Sequence, residues 1–395
     1  MEKEVVIVGM GRTAVGKMGG SLKDVPAIDM ATFIIEEVCK RSGVDKSVID
    51  GVVFGNVENR SDESCLARWA AIRAGLREDC DGYNVQRLCG SGMQAIHCAV
   101  NEIQLGLRDV VFAGGVENMS RYRFVLDKAR FGYRLGDSKL YDTLMQTLAD
   151  NPDPLKRPAA QTAENLCGIY GITKEDQAVF AYQSHTRAIN AIDNGYFKDE
   201  IIPINVPAGR GKTVVFDTDE HARRDTSVEQ MMSLKPIIPD GTVTAGTACG
   251  INDGVSGMVL MTADKAKELG LKPIARVVSQ AAVGVKPNIF GIGPAWAIRK
   301  AVERAGMTLD QMELVEINEA FAAQVIACER ELGISHDIVN VNGGAVALGH
   351  ALGNSGIRIS VTLLSELKRR GLKRGVSSLC IGAGMGIATV FELCD

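Results

Sequence analysis

Cys89 stands where a strand-like segment meets a helix-like one, in the stretch YNVQRLCGSGMQAIHCAV (83–100). A thiol at a helix N-terminus faces free backbone N–H groups and the positive end of the helix dipole, which favours thiolate and lowers the pKa. We expect Gly90 and Gly92 to keep the approach to the thiol clear and to let the backbone turn sharply. The stretch fits a nucleophile for acyl transfer and, about equally well, a buried core cysteine beside a tight turn.

His350 lies between glycines in NGGAVALGHALGNSG and is one of five histidines in the chain. A histidine in such a loop can act as the base that activates a thiol. Taken alone, the residue fits a capping or loop histidine better. His97 falls on the helix after Cys89 and is predicted to be structural. The other histidines lie in polar surroundings and are expected to be exposed: His185, His221 and His336.

Cys380 ends an apolar strand and leads into the glycine-rich stretch IGAGMG. The glycines leave backbone N–H groups accessible, which suits an oxyanion hole. The same glycines resemble a nucleotide-binding loop, but a strand rather than a helix is predicted to follow them, which weakens this alternative.

Asn318 lies in EINEAFAA, where a strand is predicted to turn into a helix. Its amide can fix a water molecule or a carbonyl oxygen, or it can be an ordinary N-cap. Glu319 can be an acidic residue in the first helical turn, where it would favour the helix dipole.

These residues are distributed over two regions in which strands and helices alternate, a pattern that predicts a layered α/β core. The helix AIDMATFIIEEVCKRSG places Ile28, Ala31, Ile35 and Val38 on one face, and Gly43 is predicted to end it. The order of elements repeats faintly: LVEINEAF parallels GVVFGNVEN, and SSLCIGAGMG parallels DVVFAGGVEN. The repeat predicts a duplicated fold whose matching loops meet on one face.

Between about 120 and 247 the pattern changes to a basic, aromatic stretch, a proline-rich connector at 151–158 and two helices. The second of these helices opens with Thr173 and Asp176 in a capping-box arrangement. We therefore predict an N-terminal half at 1–119 that is completed by about 248–270, a loop domain at 120–247, and a C-terminal half at 271–395.

Composition excludes several classes of protein. The chain has 395 residues, of which 46% are hydrophobic, and its net charge of −4 argues against a general nucleic-acid binder. Its apolar runs are too short for a membrane span, and its N-terminus lacks an apolar targeting segment. Ten cysteines without a Cys-x-x-Cys pair argue against a zinc site and, in a chain of this length, against disulfides. We expect a cytoplasmic protein with no membrane attachment.

Four stretches taken together resemble the active-site motifs of the thiolase family, in the family's order and spacing: RLCGSGMQAI, INEAFAA, NVNGGAVALGHALGNSG and CIGAGMGIA. AGGVENMS, DGTVTAG and INDG add to the resemblance, which covers essentially the whole chain. It implies an α/β, thiolase-like fold with two duplicated βαβαβαββ halves in a five-layered αβαβα core. It also implies an inserted loop domain that holds coenzyme A.

The resemblance implies cleavage of a 3-oxoacyl-CoA by CoA, or the reverse Claisen condensation, with either acetoacetyl-CoA or a longer or bulkier 3-oxoacyl-CoA as the substrate. Cys89 would be the acylated nucleophile, His350 the base that activates it, and Cys380 the acid/base for the α-proton of the second acyl-CoA. Asn318 would hold a water that stabilises the enolate oxygen together with His350. The backbone N–H groups of Cys89 and Gly382 would form a second oxyanion hole. No metal or redox cofactor is implied, because CoA is a substrate.

The resemblance also places residues around the substrate. Arg223 matches a position near the adenosine phosphate of CoA, and three further residues are expected to contact substrate: Cys249, Ala320 and Phe321. Family members usually have AGNASG where this chain has AGTACG, with Thr247 and Cys249. The chain further departs from the family at Pro158–Gln161 and at Ala351, and the small residues at 159 and 160 would make room for a bulkier acyl chain. A homodimer or homotetramer is expected.

Two other functions compete with a catalytic thiolase. Related condensing enzymes of fatty-acid or polyketide synthesis typically lack a second catalytic cysteine, so Cys380 disfavours them. A non-catalytic, partner-dependent subunit that binds acyl-CoA would be expected to have lost Cys89 or His350, and both are present.

Overall fold

A computed structural model of the chain describes residues 3–149 and 158–394. Its strands are β1 (Val5–Arg12), β2 (Gly16–Lys17), β3 (Gly51–Gly55), β4 (Asp81–Val85), β5 (Val110–Asn118), β6 (Phe124–Leu126), β7 (Leu140–Asp142), β8 (Ile204–Pro207), β9 (Thr213–Phe216), β10 (Asn252–Thr262), β11 (Ala275–Gly284), β12 (Leu314–Ile317), β13 (Arg374–Ile381) and β14 (Met385–Leu393).

Its helices are α1 (Ala27–Ser42), α2 (Leu66–Arg73), α3 (Ser91–Gln104), α4 (Thr143–Leu148), α5 (Ala159–Tyr170), α6 (Lys174–Asp193), α7 (Val228–Ser233), α8 (Ala263–Glu268), α9 (Gly293–Arg304), α10 (Ala322–Leu332), α11 (Ala345–Leu348) and α12 (Ser355–Arg370). Two helix boundaries that the sequence predicts are confirmed. Gly43 ends α1 with φ 71°, and Thr173 and Asp176 form the capping box of α6.

The strand order shows the predicted duplication. The first half runs β4-β3-β5-β10-β1, with β3 parallel to β4 and β5, and β10 antiparallel to β5 and β1. The second half runs β12-β13-β14-β11 with the same parallel and antiparallel pattern. A parallel bridge between Val315 and Val339 takes the place that β4 has in the first half. β12 thus matches β3 and β13 matches β5, as the repeated sequence order predicts.

The two halves meet edge to edge as well as face to face. β1 and β11 pair at Val6 with Arg276 and at Ile7 with Ala275, so the two five-membered halves form one continuous sheet. α3 and α12 lie between the two halves of this sheet, where they share a core with residues of both halves. α1 and α2 cover one outer face, and α9 and α10 cover the other. The resulting αβαβα layering confirms the predicted fold class.

The inserted region carries two short hairpins, β6–β7 and β8–β9, together with α4, α5, α6 and α7. A buried ion pair connects this region to the core, because Arg12 at the end of β1 contacts Glu200 at 2.7 Å and Asp219 at 2.8 Å. Of the proline-rich connector, 151–157 lies outside the described residues. The predicted domain boundaries stay a prediction. Within the described residues, no helix combines the length and the apolar character that crossing a membrane requires.

Candidate active site

Cys89 follows β4 and precedes α3 by two residues. The chain turns at Leu88, whose φ is 45°, and the side chain of Ser91 supports this turn. The Ser91 hydroxyl accepts a hydrogen bond from the N–H of Arg87 at 2.8 Å and donates to the carbonyl of Leu88 at 2.7 Å. The thiol therefore lies at the N-terminus of α3, as the sequence predicts.

The two glycines after Cys89 serve packing rather than turning, which corrects one expectation. Gly90 has an ordinary φ of −84°, and the sharp turn lies at Leu88 instead. A methyl group at Gly90 would lie 2.5 Å from Ile381 Cδ1, and one at Gly92 would lie 2.6 Å from the carbonyl oxygen of Gly353. These short approaches bring the Cys89 loop against β13 and against the chain that enters α12.

Burial controls the ionisation of Cys89 and raises the pKa of its thiol to about 11. Hydrogen bonds from the backbone N–H groups of Gly382 and of Cys89 itself oppose this rise, whereas the charge of Glu117 adds to it. The prediction of a lowered pKa is therefore wrong, because desolvation outweighs the helix N-terminus. A neutral thiol needs a base that takes its proton when it attacks.

His350 can be that base, because its hydrogen bonds fix one tautomer. Nδ1 lies 2.6 Å from Ser355 Oγ, and that hydroxyl already donates its single proton to the carbonyl of Ala351 at 2.9 Å. Nδ1 must therefore carry the ring proton and donate it, which leaves Nε2 with a free lone pair. Burial, together with the charge of Arg358, lowers the pKa of His350 to about 3, so the ring is neutral near pH 7.

Asn318 is not a helix cap. α10 begins at Ala322, and its N-cap is Phe321, so the Asn318 side chain is left for another role. Its Nδ2 lies 3.4 Å from His350 Nε2, and its buried Oδ1 has no partner among the described residues. The backbone N–H of Asn318 donates to the carbonyl of Ser378 at 2.9 Å, which ties this loop to β13. Because an amide nitrogen only donates, Nδ2 donates to the unprotonated Nε2, which agrees with the tautomer that Ser355 sets.

Glu319 ties the Asn318 loop to the His350 loop. Its carboxylate accepts hydrogen bonds from Ser184 Oγ at 2.7 Å, Asn340 Nδ2 at 2.9 Å and the N–H of Val346 at 3.0 Å. The sequence indicated that Glu319 is an acid in the first turn of α10, and this is wrong. The last of these donors belongs instead to the first turn of α11. The Glu319 carboxylate lies at the start of the helix that precedes His350.

Cys380 lies in a hairpin rather than in a nucleotide-binding loop. β13 and β14 are antiparallel neighbours, and Cys380 pairs with Gly386 across the turn. Burial raises the pKa of Cys380 well above its usual value, and the next largest cause is the charge of Cys89. The Cys89 loop and the Cys380 hairpin meet at one site, since a methyl group at Gly90 would lie 2.5 Å from Ile381 Cδ1 and one at Gly382 would lie 2.9 Å from Leu88 Cδ1.

The predicted substrate residues lie beside Cys380. The N–H of Cys249 donates to the carbonyl of Ala320 at 3.0 Å, and Ala248 and Phe321 form an antiparallel bridge. Ala320 and Phe321 pack with Cys380 and Phe290 in one apolar cluster, which Ala159 of α5 also joins. Burial raises the pKa of Cys249 to about 12, so this thiol is neutral.

Arg223 lies apart from the catalytic cluster, on the exposed rim of a groove that the loop domain forms with the chain before β10. The groove runs from Arg223 and His221 to Ala248, the neighbour of Cys249. His185, expected to be exposed, is in fact buried, and its Nδ1 accepts the N–H of Arg223 at 3.1 Å. The bond fixes the backbone of Arg223 while the guanidinium faces outward.

His97 has the structural role that the sequence predicts. It is buried on α3, and its Nε2 lies 2.9 Å from Thr389 Oγ1 of β14, so it connects the central layer to the second half. Burial lowers its pKa to about 3, which keeps it uncharged.

Three residues at the site escaped the sequence reasoning. Ser355 fixes the tautomer of His350, and Asn252 accepts the backbone N–H of His350 at 3.0 Å. Glu117 is buried and accepts the N–H of Val57 and that of Gly353, each at 2.9 Å. Each of them lies inside a stretch that marks the resemblance, but its contacts are with distant residues, so no local pattern reveals the role.

Comparisons with known proteins agree with this geometry. The family model described as Thiolase, N-terminal domain matches residues 5–264, and Thiolase, C-terminal domain matches residues 271–393. The chain is 45% identical to an acetyl-CoA acetyltransferase of Syntrophomonas wolfei over 99% of this chain and 100% of that protein. It is 46% identical to an acetyl-CoA acetyltransferase of Pseudomonas aeruginosa over 98% of each chain.

Solved structures give the same picture. The acetyl-CoA acetyltransferase of Bacillus anthracis superposes with a TM-score of 0.96 at 47% identity, covering 100% of this chain and 99% of that one. Human mitochondrial 3-ketoacyl-CoA thiolase in complex with CoA superposes with a TM-score of 0.95 at 42% identity, covering 99% and 98%. These similarities support neither a related condensing enzyme nor a non-catalytic subunit. The chain therefore belongs to the thiolase family, as an acyltransferase that cleaves a 3-oxoacyl-CoA with CoA or condenses acyl-CoAs in the reverse direction.

Proposed function

We propose that Cys89 carries the acyl group and that His350 activates it. The Cys89 sulfur attacks the acyl-CoA carbonyl while its proton passes to His350 Nε2. The tetrahedral intermediate then collapses to an acyl-cysteine, and CoA leaves as a thiol after taking up that proton. The observation that carries this assignment is the Ser355 hydrogen bond, because it leaves Nε2 as the unprotonated ring nitrogen. The raised pKa of Cys89 explains why a base is needed.

In the second half-reaction, the Cys380 thiolate takes the α-proton of the second acyl-CoA, and the resulting carbanion attacks the acyl-cysteine. The C–S bond to Cys89 then breaks, and the departing Cys89 sulfur recovers a proton from Cys380. Asn318, with a water, stabilises the enolate oxygen, and His350 joins it when Nε2 carries a proton. The N–H groups of Cys89 and Gly382 stabilise the oxyanion that forms on the thioester carbonyl of the acyl group bound to Cys89. Both N–H groups favour negative charge on the Cys89 sulfur and lower its pKa, which supports this last role. The expectation that neither a metal nor a redox cofactor is needed stays a prediction.

We infer that CoA enters along the groove from Arg223 to Ala248. The exposed guanidinium suits a phosphate at the outer end, and the inner end opens beside Cys249 and Ala320. The CoA complex of the human relative supports CoA as the ligand. Arg223→Ala is expected to raise the KM for CoA about tenfold, the effect of one charge-assisted hydrogen bond, and to leave kcat unchanged. Dephospho-CoA as substrate would test whether the guanidinium meets the adenosine phosphate.

We propose that the acyl pocket takes 3-oxoacyl chains longer or bulkier than acetoacetyl. Ala159 packs in the cluster around Cys380, so a small side chain stands where the acyl tail would extend. Thiolysis of acetoacetyl-, 3-oxohexanoyl- and aromatic 3-oxoacyl-CoA, followed by the absorbance of the enolate–magnesium complex, tests this. Ala159→Met should reduce activity on the longer substrates and spare acetoacetyl-CoA. A wild-type enzyme that strongly prefers acetoacetyl-CoA would contradict the proposal.

We propose a homotetramer, built from dimers that pair through the loop domain. The β6–β7 hairpin exposes large apolar side chains, among them Phe131 at 92% and Leu135 at 96% exposure. Light scattering should show a tetramer for the wild type and a dimer for the Phe131→Lys/Leu135→Lys variant. A stable wild-type monomer at micromolar concentration would overturn the proposal.

We also propose a cytoplasmic location. Nine cysteines, from Cys39 to Cys380, are free thiols, which suits a reducing compartment. Fractionation of the native cells, with detection of the chain by antibody, tests this.

A further inference from the structure

One face of α12 carries a line of buried polar side chains through the central layer of the fold. Its members follow one another at helical spacing, so they share a face. This polar stripe consists of Ser355, Arg358, Thr362 and Glu366. A helix packed between two sheets would ordinarily present apolar residues, so each polar member needs a partner.

Three members of the polar stripe have clear partners, and Glu366 pairs with Arg369 and Arg370 at the far end of the helix. Ser355 holds His350 Nδ1 at 2.6 Å, at the catalytic end of the helix. Thr362 donates to Glu200 Oε1 at 3.0 Å, and Glu200 in turn pairs with Arg12. The stripe thus connects the catalytic histidine to the buried ion pair that joins the loop domain to the core.

Arg358 is the exception. Its side chain is buried, with the residue 1% exposed, yet Nη1 and Nη2 have no hydrogen-bond partner among the described residues. The carboxylate that attracts it most strongly is Glu316 of β12, which is 3% exposed and whose Oε2 is likewise without a partner. Within the described part of the chain, these two groups are not within ion-pair distance of each other.

The other nearby charges do not replace Glu316. The charged groups that act on Arg358 are Glu316, Arg12, Glu200 and Asp219. Arg12 already holds Glu200 at 2.7 Å and Asp219 at 2.8 Å, so their charges are largely compensated. Burial raises the pKa of Glu316 to about 8, and the Arg358 charge opposes that rise. The unpartnered donors of Arg358 and the unpartnered acceptor of Glu316 are therefore the two groups that can complete each other's hydrogen bonds.

Their positions in the chain connect them to the chemistry. Glu316 precedes Asn318 by two residues at the end of β12, and Arg358 follows Ser355 by three residues on α12. Asn318 Nδ2 and His350 Nε2 lie 3.4 Å apart, between these two elements. A link between Glu316 and Arg358 would fix β12, which ends one residue before Asn318, against the helix that holds His350.

We propose that Arg358 is a positioning residue for the thiolase reaction. It acts through a buried water between its guanidinium and Glu316, and so holds the side chains of His350 and Asn318 at their relative positions. Such a water accepts a hydrogen bond from Nη1 or Nη2 and donates one to Glu316 Oε2, which satisfies buried donors and acceptors on both sides. The inference rests on the roles proposed above for His350 and Asn318. The positive charge of Arg358 also contributes to the low pKa of His350.

The test compares Arg358→Met with Arg358→Lys, and uses Arg370→Met on the same helix as a matched control. Arg370 lies at the partly exposed end of α12 and pairs with Glu366, so its loss should leave kcat and KM unchanged. Arg358→Met should lower kcat about 10- to 100-fold, as the loss of a supporting hydrogen-bond partner does, with the KM for CoA unchanged. Removing the charge raises the pKa of His350, so the acid limb of the kcat profile should move to higher pH.

Arg358→Lys keeps the charge and one set of donors, so it should restore the acid limb and part of kcat. A merely structural role would instead lower the folded fraction and leave both the pH profile and the kcat of the folded enzyme unchanged. Arg358→Met with wild-type kcat and wild-type acid limb would overturn the inference. A crystal structure with no water between the guanidinium and Glu316 would overturn it too.

A second variant keeps the test valid where Arg358→Met does not fold. Without Arg358, Glu316 must keep a proton to stay buried, so above pH 8 Arg358→Met/Glu316→Gln should melt at a higher temperature than Arg358→Met alone. Equal or additive losses would show that the two side chains are independent. His350→Ala is assayed in parallel: activity in that variant would refute the proposed role of His350, whereas its inactivity beside a fully active Arg358→Met would refute the Arg358 inference alone.

Discussion

His350 donates its Nδ1 proton to Ser355, and Ser355 passes its own proton to a backbone carbonyl, so one hydroxyl determines which imidazole nitrogen is basic. The two distances, 2.6 Å from Nδ1 to Oγ and 2.9 Å from Oγ to the carbonyl of Ala351, leave Nε2 free. The residues lie five apart, at the loop before α12 and in its first turn. The start of one helix therefore positions both the base and the group that orients it.

Ser355→Ala should slow acylation of Cys89 about 10- to 100-fold, because the imidazole would no longer be held in the tautomer that accepts the thiol proton. The measurement is the gain of acyl mass on Cys89 after rapid mixing with acyl-CoA. Ser360→Ala is a matched control, since Ser360 lies on the same helix and also donates to the carbonyl four residues before it. Equal acylation rates in the Ser355 variant and the wild type would refute the tautomer argument.

Cys380→Ala should still gain acyl mass on Cys89, because thioester exchange needs only the nucleophile, His350 and an oxyanion hole. It should lose condensation and the exchange of α-protons with deuterated water, since a carbon acid requires a base held against it. Cys89→Ala should lose the acyl mass altogether. A Cys380→Ala enzyme that condenses at near wild-type rate would point to His350 or a water as the base.

Acylation should persist at acidic pH. An ordinary histidine has a pKa near 6.5, but burial lowers that of His350 to about 3, so the ring stays neutral and basic as the pH falls from 8 to 5. The rate of acyl transfer to Cys89 should therefore lack an inflection near pH 6.5. His350→Ala should slow alkylation of Cys89 by iodoacetamide at pH 7 and leave that of exposed Cys65 unchanged, as peptide mass spectrometry would show. An acid limb at pH 6.5 would mean that water reaches the ring.

Cys249→Ser should tighten CoA binding modestly and leave kcat unchanged, because a hydroxyl is a better hydrogen-bond donor than a thiol. Cys249 is neutral and half-buried next to Ala320, so the substitution adds no charge. A change in acyl-chain preference would instead show that the pocket has been reshaped for another acyl group. No change in either quantity would mean that this position does not touch CoA.

Local patterns in the sequence were enough to predict the elements and their duplication. Helix α1 follows its 3.6-residue period and ends at Gly43, and α6 begins at its capping box, because both signals lie within one or two turns of the chain. The repeated order of strands predicts matching sheet positions, since each half forms the same sequence of hydrogen-bonded neighbours. The resemblance in four short stretches indicated the family.

Contacts between distant residues determined the ionisation of Cys89 and the role of Asn318. The ionisation of Cys89 depends on how much water the packed fold excludes and on groups such as Gly382 and Glu117, so a helix N-terminus alone gave the wrong sign. Asn318 became available for chemistry only because α10 begins three residues later than the local pattern indicated.

The sequence by itself thus determined the elements, their repetition and the residues that carry the proposed chemistry. Short-range hydrogen bonding and hydrophobic periodicity depend only on residues that are close together in the chain. Only the tertiary structure determined the tautomer of His350, the burial of His185 and the burial of Arg358 with Nη1 and Nη2 left without a partner among the described residues. Desolvation and long-range hydrogen bonds produce these properties, and both depend on which distant segments the fold brings together.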